Sequence, residues 1–245
     1  MVGQQVSLIE AIRAERSHVA ERREPSQERG QRTQRAIIEG AARVFENKGY
    51  SDATLSDITR ASGISQGSLY FHFKTKEQIA LGVIQEQHDR MYAEIEEARN
   101  EASDPLVQLF RASYVICIQL QEDAVTRAGI NLALGQGALR EASARSYGEW
   151  TRGVGYLLDR AIRTGILDGD LKPERLARSL VAYFTGSQLM SQATCDRGDL
   201  FESVADMWRV FIKANAVGQI RRADYFGLIG KLFESRSPLG SIESA

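Results

Sequence analysis

The sequence predicts an all-α protein with a small N-terminal three-helix unit and a larger helical domain after it. Almost every long stretch repeats apolar residues at helical spacing, and no stretch alternates as a β-strand does. Glycine and proline interrupt this pattern at points typical of helix ends. With 245 residues, 43% of them hydrophobic, the chain is long enough to bury a full core.

The helices of the N-terminal unit follow from their end signals. The first is predicted from about Arg32 to Lys48, and Gly49 ends it. Thr54 and Asp57 have the spacing of a capping box, so a second helix begins there, and it stays short because Ser62-Gly63 follows. Together these signals predict a tight turn between two short helices.

The next helices are predicted from caps and prolines in the same way. Ser65 caps a third helix over 66–73, and Thr75 with Gln78 begins a fourth that runs to about Asn100. Ser103-Asp104-Pro105 opens a helix through Gln121. A weaker, glycine-interrupted segment is predicted over 129–137, and a helix over 140–164. A turn over 165–170 precedes a helix that begins at Pro173, and a last helix is predicted over 199–216. The last two look apolar on more than one face, which predicts either a deep core or a subunit interface.

The predicted domains are an N-terminal extension, partly disordered, over 1–28, a small domain over 29–75, a large domain over 76–234 and a tail over 235–245. Arginines before the first predicted helix, at positions 22, 23 and 29, lie among glutamates. They allow either a flexible arm that reaches DNA or a solvated segment.

Composition and motifs exclude several classes of protein. No apolar run approaches the roughly 18 residues that a membrane span needs, so we expect a soluble, cytoplasmic protein. Cys117 and Cys195 are expected to be buried free thiols. The three histidines, His18, His72 and His88, form no metal-ligand cluster by spacing, and the sequence contains no catalytic motif. We therefore expect no cofactor, no metal and no enzyme activity.

Charge is distributed unevenly along the chain. Residues 29–76 carry eight basic and four acidic side chains, although the whole chain has a net charge of −1. A basic segment followed by an acidic remainder suits contact of the first part with phosphates and of the second with protein or small molecules.

The segment TLSDITRASGISQGSLYFHF, residues 54–73, closely resembles the DNA-binding signature of the TetR family of bacterial regulators. The resemblance rests on the glycine turn, the Ser-x-Gly-x-Leu-Tyr-x-x-Phe helix, and Lys76-Glu77 at the start of the next helix. Thr59 and Ser62 depart from it mildly, because family members often have alanine at these inner positions. The resemblance implies a TetR-like fold with an N-terminal helix-turn-helix and a homodimer that binds a palindromic operator in double-stranded DNA.

A short helix that exposes small and polar residues at its start can enter the major groove. Gln66 can pair with adenine, Ser68 can donate or accept a hydrogen bond, and Gly67 allows close approach of the backbone. Leu69 and Phe73 are expected in the core, whereas Phe71 is left unassigned. By resemblance, further positions contact phosphates. The candidate DNA-binding residues are Thr54, Ser65, Gln66, Gly67, Ser68, Tyr70, His72 and Lys76.

Residues 122–129 and 179–186, together with Trp150, resemble the γ-butyrolactone-receptor branch of the family. That resemblance implies a ligand-responsive repressor, released by a small apolar molecule similar to a γ-butyrolactone or a furan, with Trp150 over the pocket. Gln87 and Thr185 are the candidate polar partners, and dimerisation is expected through the last two long helices. The alternative is a regulator that sequesters a ligand or forms heterodimers and has little DNA binding of its own.

Overall fold

The computed structural model describes residues 3–100, 102–134 and 139–234, without the side chains of 3–26, 98–99 and 220. Within these ranges every regular element is a helix, apart from one isolated β-bridge between Leu167 and Ala216. The predicted all-α fold is confirmed. The 235–245 tail lies outside the described residues.

The helices follow one another along the chain with short connections. They are α1 Gly3–Asp52, α2 Leu55–Ser62, α3 Gln66–His72, α4 Lys76–Asn100, α5 Pro105–Glu122, α6 Ala124–Ala133, α7 Arg140–Arg163, α8 Pro173–Cys195, α9 Leu200–Asn215 and α10 Gln219–Ile229, with a π-helical turn at Gly230–Glu234. They form two compact units, Met1–Val83 and Ile84–Ala245. The first turns of α4 therefore belong to the first unit, which extends beyond the boundary predicted after residue 75.

Capping hydrogen bonds begin the short helices of the first unit at the residues that the sequence predicted. The Thr54 hydroxyl accepts from the Asp57 amide at 3.1 Å and the Asp57 carboxylate accepts from the Thr54 amide at 3.2 Å, which completes the capping box. Gly63 ends α2 with φ 69°, in the left-handed region that favours glycine. The Ser65 hydroxyl accepts from the Ser68 amide at 3.2 Å and caps α3.

The core of the first unit is formed by the inner faces of α1 to α4. Its fully buried side chains include Ile37, Ile58, Leu69 and Ile79. At Gly40 of α1 an added Cβ would lie 2.7 Å from the backbone of Ser62 in α2. The close approach of these two helices therefore requires a glycine at this position.

The N-terminal helix differs from its predicted bounds. The sequence predicted a start near Arg32 after a partly disordered extension, whereas α1 begins at Gly3. Alanine, glutamate, glutamine and arginine are frequent over 3–28, and their helix propensities favour the continuation, although Pro25 opposes it. At the other end, Gly49 interrupts α1 with φ 76°, as its glycine predicted.

The second unit packs α5 through α10 around one large core. Trp208 of α9 is 2% exposed, and its indole donates to the Ser113 hydroxyl at 2.8 Å. The apolar side chains of α9, including Phe201, Val204 and Phe211, are buried within this unit. The sequence allowed either a deep core or a subunit interface for the apolar faces of α9. Most of this apolar surface belongs to the core.

Two local predictions for the second unit were wrong. The weak helix expected over 129–137 is α6, Ala124–Ala133, because the Asp123 carboxylate accepts from the Val125 and Thr126 amides and starts the helix earlier. Cys195 is exposed at the end of α8 and donates to the Asp199 carboxylate, whereas Cys117 is buried as predicted. The end of the predicted 129–137 helix, from residue 135 onward, lies outside the described residues.

Replacing Gly40 with alanine should destabilise the first unit by about 1–3 kcal/mol, because the added methyl group forces α1 and α2 apart. Gly30→Ala is the matched control: Gly30 also lies in α1, and an added Cβ there meets nothing within 4 Å. We expect that control to be neutral or stabilising by up to about 1 kcal/mol, as helix propensity predicts. Urea denaturation followed by circular dichroism measures both, and equal stabilities of the two variants would contradict the packing argument.

Candidate nucleic-acid interface and effector cavity

Helix α3 presents its first turn to solvent. Ser65, Gln66 and Gly67 are exposed, Ser68 is half-buried, and Leu69 is fully buried beneath them. An added Cβ at Gly67 would meet nothing within 4 Å, so the backbone is open on that side. The predicted base-reading residues therefore share one accessible face.

Thr54 and Asp57 hold the start of α2 in place. The Thr54 hydroxyl donates to Asp57 Oδ2 at 2.7 Å while it accepts from the Asp57 amide, and Lys48 Nζ lies 2.9 Å from Asp57 Oδ1. The hydrogen bond from Lys48, followed by that from Thr54, lowers the pKa of Asp57 to about 2, which keeps the carboxylate charged at neutral pH. Thr54, a predicted phosphate contact, thus also has a structural function as the cap.

Lys76 has a partner for each proton of its ammonium group. Its Nζ donates to the carbonyl oxygens of Tyr50, Ser51 and Ala53 at 2.7, 3.0 and 2.9 Å, and it lies 4.7 Å from the centre of the Tyr50 ring. These carbonyls follow Gly49 at the end of α1. The geometry favours Lys76 as a positioning residue that ties the end of α1 to α4, and its phosphate contact stays a prediction.

The aromatic residues at the end of α3 divide between core and surface. Leu69 and Phe73 are buried, as predicted, and Tyr70 is 40% exposed. Phe71, which the sequence analysis left unassigned, is 78% exposed and meets His72 edge to face at 5.3 Å. A phenyl ring at the accessible end of this helix is suited to contact a thymine methyl group.

Besides an open groove of about 1050 Å³ along α7 and α8, the second unit contains two smaller neighbouring cavities that share Trp150 and Phe184. The larger, about 110 Å³, is apolar, with walls from α4, α5, α7, α8 and α9 that include Leu109, Leu157 and Met207. The smaller, about 30 Å³, is lined by α4, α6, α7 and α8. We call it the polar cavity, because Gln87, His88, Ser146, Thr185 and Gln188 are among its lining residues. Trp150 thus lies at the junction of an apolar and a polar cavity.

All three predicted ligand-binding residues line the polar cavity. Gln87 comes from α4, Trp150 from α7 and Thr185 from α8. Thr185 shares a hydrogen bond with Tyr147, and burial raises the pKa of that tyrosine while the hydrogen bond opposes the rise. Gln87 is 4% exposed and its amide donates only to the Met91 sulfur among the described residues, at 3.4 Å.

Gln188 is a cavity residue that sequence reasoning missed. It is 2% exposed, lines the polar cavity, and neither its amide nitrogen nor its amide oxygen has a hydrogen-bond partner within the described ranges. An unpaired buried amide costs about 1–3 kcal/mol, so it is uncommon unless another group satisfies it. Its spacing of four residues from Phe184 on α8 could have indicated a shared face.

His88 also lines the polar cavity. Its Nε2 lies 3.3 Å from the Glu149 carboxylate, and its ring stacks on Tyr92 with centres 4.3 Å apart. Gly129 of α6 packs directly beneath this region, because an added Cβ there would lie 2.4 Å from Cβ of Gln87. Helix α4 is therefore held by close contacts at the cavity.

The electrostatics of the two cavities are nearly neutral. Among the described residues that line them there is no Lys, Arg, Asp or Glu. The described residues also include no group of three His, Cys, Asp or Glu side chains that could hold a metal ion. Binding in these cavities would depend on shape, apolar contact and neutral hydrogen-bonding groups.

Comparison with known families assigns both units. Residues 37–83 match the model for bacterial regulatory proteins of the tetR family, and residues 103–216 match the tetracyclin repressor-like C-terminal domain. The HTH-type transcriptional regulator TtgR of Pseudomonas putida is 31% identical over 172 residues, which cover 66% of this chain and 80% of that protein. The chain belongs to the TetR family.

Two further relatives of this TetR-family chain are receptors by name, and a third was solved in complex with DNA. It is 33% identical to the A-factor receptor protein of Streptomyces griseus over 183 residues, which cover 75% of this chain and 63% of the receptor. A gamma-butyrolactone receptor described as ArpA-like superposes with TM-score 0.73 at 26% identity, covering 84% of this chain and 99% of that one. CprB from Streptomyces coelicolor, solved with its operator sequence, has TM-score 0.73 and 27% identity over 84% and 98% of the two chains.

Membership in the TetR family makes this chain a transcriptional regulator with an N-terminal helix-turn-helix, and not an enzyme. None of the helices in the described part of the chain is long and apolar enough to cross a membrane.

If Lys76 acts by positioning α1, Lys76→Met should weaken DNA binding about tenfold without changing its salt dependence. A lost phosphate contact in each subunit of a dimer would instead make the slope of log K against log salt less steep by about 1.8. Fluorescence anisotropy with the DNA upstream of its own gene, at several salt concentrations, separates the two. Lys231→Met, exposed in the π-helical turn at Gly230–Glu234, removes the same charge outside the first unit and should change neither quantity.

Proposed function

We propose that the protein is a ligand-responsive repressor that binds a palindromic operator as a homodimer and is released when a small, largely apolar molecule occupies the cavities beside Trp150. The observation that carries the proposal is the convergence of Gln87, Trp150 and Thr185 on one cavity in a chain whose first unit is a DNA-reading domain. The relatives named as receptors support the effector class. A regulator of this kind acts in the cytoplasm, where its operator is.

In the proposed DNA complex, the first turn of α3 enters the major groove. Gln66 contacts a base edge, and Tyr70 and His72 contact the backbone. Phe71 adds an apolar contact next to them, which its exposed fraction of 78% supports. Base contacts set specificity, whereas phosphate contacts set register and affinity for all sequences.

The proposed dimer uses α8 and α9, the last two long helices. Helix α8 exposes Tyr183, Leu189 and Met190, and α9 exposes Val210, so apolar side chains remain on these helices after the core is packed. An operator with two half-sites about one helical turn apart, or a multiple of it, would match such a two-fold dimer.

Release is proposed to act through α4. Gln87, His88 and Met91 of α4 line the polar cavity, and the same helix begins at Lys76 in the first unit. The two cavities are smaller than the roughly 300–1,000 Å³ typical of ligand sites, so an effector has to move their walls. A ligand that displaces α4 alters the first unit and lowers operator affinity.

Gln66→Ala should reduce discrimination between the operator and unrelated DNA by about 5- to 150-fold, the equivalent of about 1–3 kcal/mol, with little loss on unrelated sequences. Tyr70→Ala should weaken binding to both DNAs by the same factor, because a backbone contact does not depend on sequence. Gel-shift titrations with both DNAs measure the two effects. If the unaltered protein binds neither DNA, the repressor proposal fails and the alternative, a regulator that sequesters a ligand or forms heterodimers, takes its place.

Gly129→Ala should imitate the effector by pushing Gln87 and α4, and so weaken operator binding about tenfold without any ligand. Gly148→Ala, on α7, is the control, because an added Cβ there meets only the end of the Arg152 side chain at 3.7 Å. Operator titrations without effector compare both variants. An unchanged operator affinity for Gly129→Ala, together with a lowered melting temperature, would exclude α4 as the route.

A further inference from the structure

The N-terminal part of α1 carries three arginines that the proposed DNA contacts do not include. Arg29, Arg32 and Arg35 follow one another at intervals of three residues, and each is exposed. This stretch is helical, and the Thr33 hydroxyl donates to the Arg29 carbonyl oxygen at 2.9 Å. Residues three apart are neighbours on a helix surface, so the three side chains cover about 9 Å along the axis. We call these three residues the arginine row.

The charge of the arginine row is not neutralised by ion pairs. None of the three forms an ion pair with another described residue, whereas Asp57 pairs with Lys48 and Arg60 elsewhere in the same unit. Over residues 27–36 the only acid is Glu28, which leaves three positive charges against one negative. This part of the helix therefore presents a net positive surface to solvent.

Helices α1 and α2 run antiparallel, which brings the arginine row to the side of the unit where α3 begins. Lys48 near the end of α1 pairs with Asp57 at the start of α2 at 2.9 Å, whereas Gly40 lies against Ser62 at the end of α2. Each step back along α1 is therefore a step toward the turn that leads into α3. Residues before Gly40 extend past that turn, beyond which Ser65 caps α3.

The DNA-reading part of the first unit has no negative charge that would oppose this surface. Residues 58–76, from α2 to the start of α4, contain Arg60, Lys74 and Lys76 and no Asp or Glu. Each strand of B-DNA has one phosphate per about 3.4 Å of axis, so a row of about 9 Å spans about three of them. The planar guanidinium group matches the geometry of phosphate oxygens.

We propose that the arginine row is a second DNA-contact surface, which binds backbone phosphates beside the base pairs that the first turn of α3 contacts. The row is held by a helix, so it differs from the flexible arm that the sequence allowed, and less freedom is lost on binding. Phosphate contacts carry no sequence information, so the row adds affinity for every duplex. This inference goes beyond the proposed function, because it needs neither an effector nor release by one.

The test measures the salt dependence of DNA binding by the full-length protein that carries Arg29→Gln, Arg32→Gln and Arg35→Gln together. Glutamine has a similar helix propensity, so α1 should persist. Each phosphate contact contributes about 0.9 to the slope of log K against log salt, so the loss of three in each subunit of a dimer should make the slope less steep by about 5. Fluorescence anisotropy measures this slope between about 50 and 200 mM salt.

Two DNAs are compared in that experiment, the segment upstream of the protein's own gene and an unrelated duplex. The change in slope should be the same for both, because phosphates do not differ between sequences. An unchanged slope would overturn the proposal, and so would a change confined to one DNA. The same holds if the unaltered protein binds neither DNA at about 50 mM salt.

Two matched variants separate a phosphate contact from a general effect of charge or folding. Replacing the arginine row with three lysines keeps the charge and should keep most of the slope. Arg140→Gln, Arg145→Gln and Lys172→Gln together remove three exposed charges from the second unit and should leave the slope unchanged. An equal loss of slope in either control would contradict the assignment to the arginine row.

The same titrations keep this inference separate from the proposed repressor function. Equal affinity for the two DNAs, together with the expected change in slope, would contradict a specific operator and leave the arginine row standing. A strong preference for the upstream DNA, with no change in slope, would do the reverse.

Discussion

The DNA-reading unit depends on the close approach of α1 and α2 at Gly40 and Ser62. Helices α2 and α3 have eight and seven residues, too few to be stable alone, so they form because caps and packing support them. Thr54, Gly63 and Ser65 fix where each helix begins or ends, and the missing side chain at Gly40 allows the packing. Lys76 then ties the end of α1 to the start of α4 through three carbonyl oxygens. The exposed first turn of α3 is a product of these constraints.

Local chemistry explains why much of the fold could be predicted from the sequence. The Thr54–Asp57 box, the Gly63 turn and the Ser65 cap each act within four residues, so their signals are complete in the sequence. Prolines at 105 and 173 marked the first residues of α5 and α8 in the same way. The start of α6 was missed because glycines at 129, 135 and 137 suggested a weak segment, whereas the cap at Asp123 decides the boundary.

The grouping of the candidate site residues could be predicted to different degrees. Trp150, Gln87 and Thr185 were proposed together, and the polar cavity contains all three. Gln188 and His88 were not selected, because a polar residue on an amphipathic helix is usually solvated; the spacing of Gln188 from Phe184 indicates a shared face but not that tertiary packing buries it. Lys76 is similar: its positive charge suggested phosphate, but its carbonyl partners lie 23 to 26 residues earlier in the chain. Contacts at that separation leave no local pattern.

The position of Trp150 between the two cavities gives the protein a built-in optical reporter. The chain has two tryptophans, and both line the apolar cavity, but only Trp150 also borders the polar one. Trp208 donates to Ser113, packs edge to face against Phe110 and Phe211, and borders the apolar cavity alone. Emission from Trp150 would therefore respond to whatever enters beside it. Unlabelled protein could serve as a fluorescent sensor for screening collections of natural products, with no DNA or reporter gene in the assay.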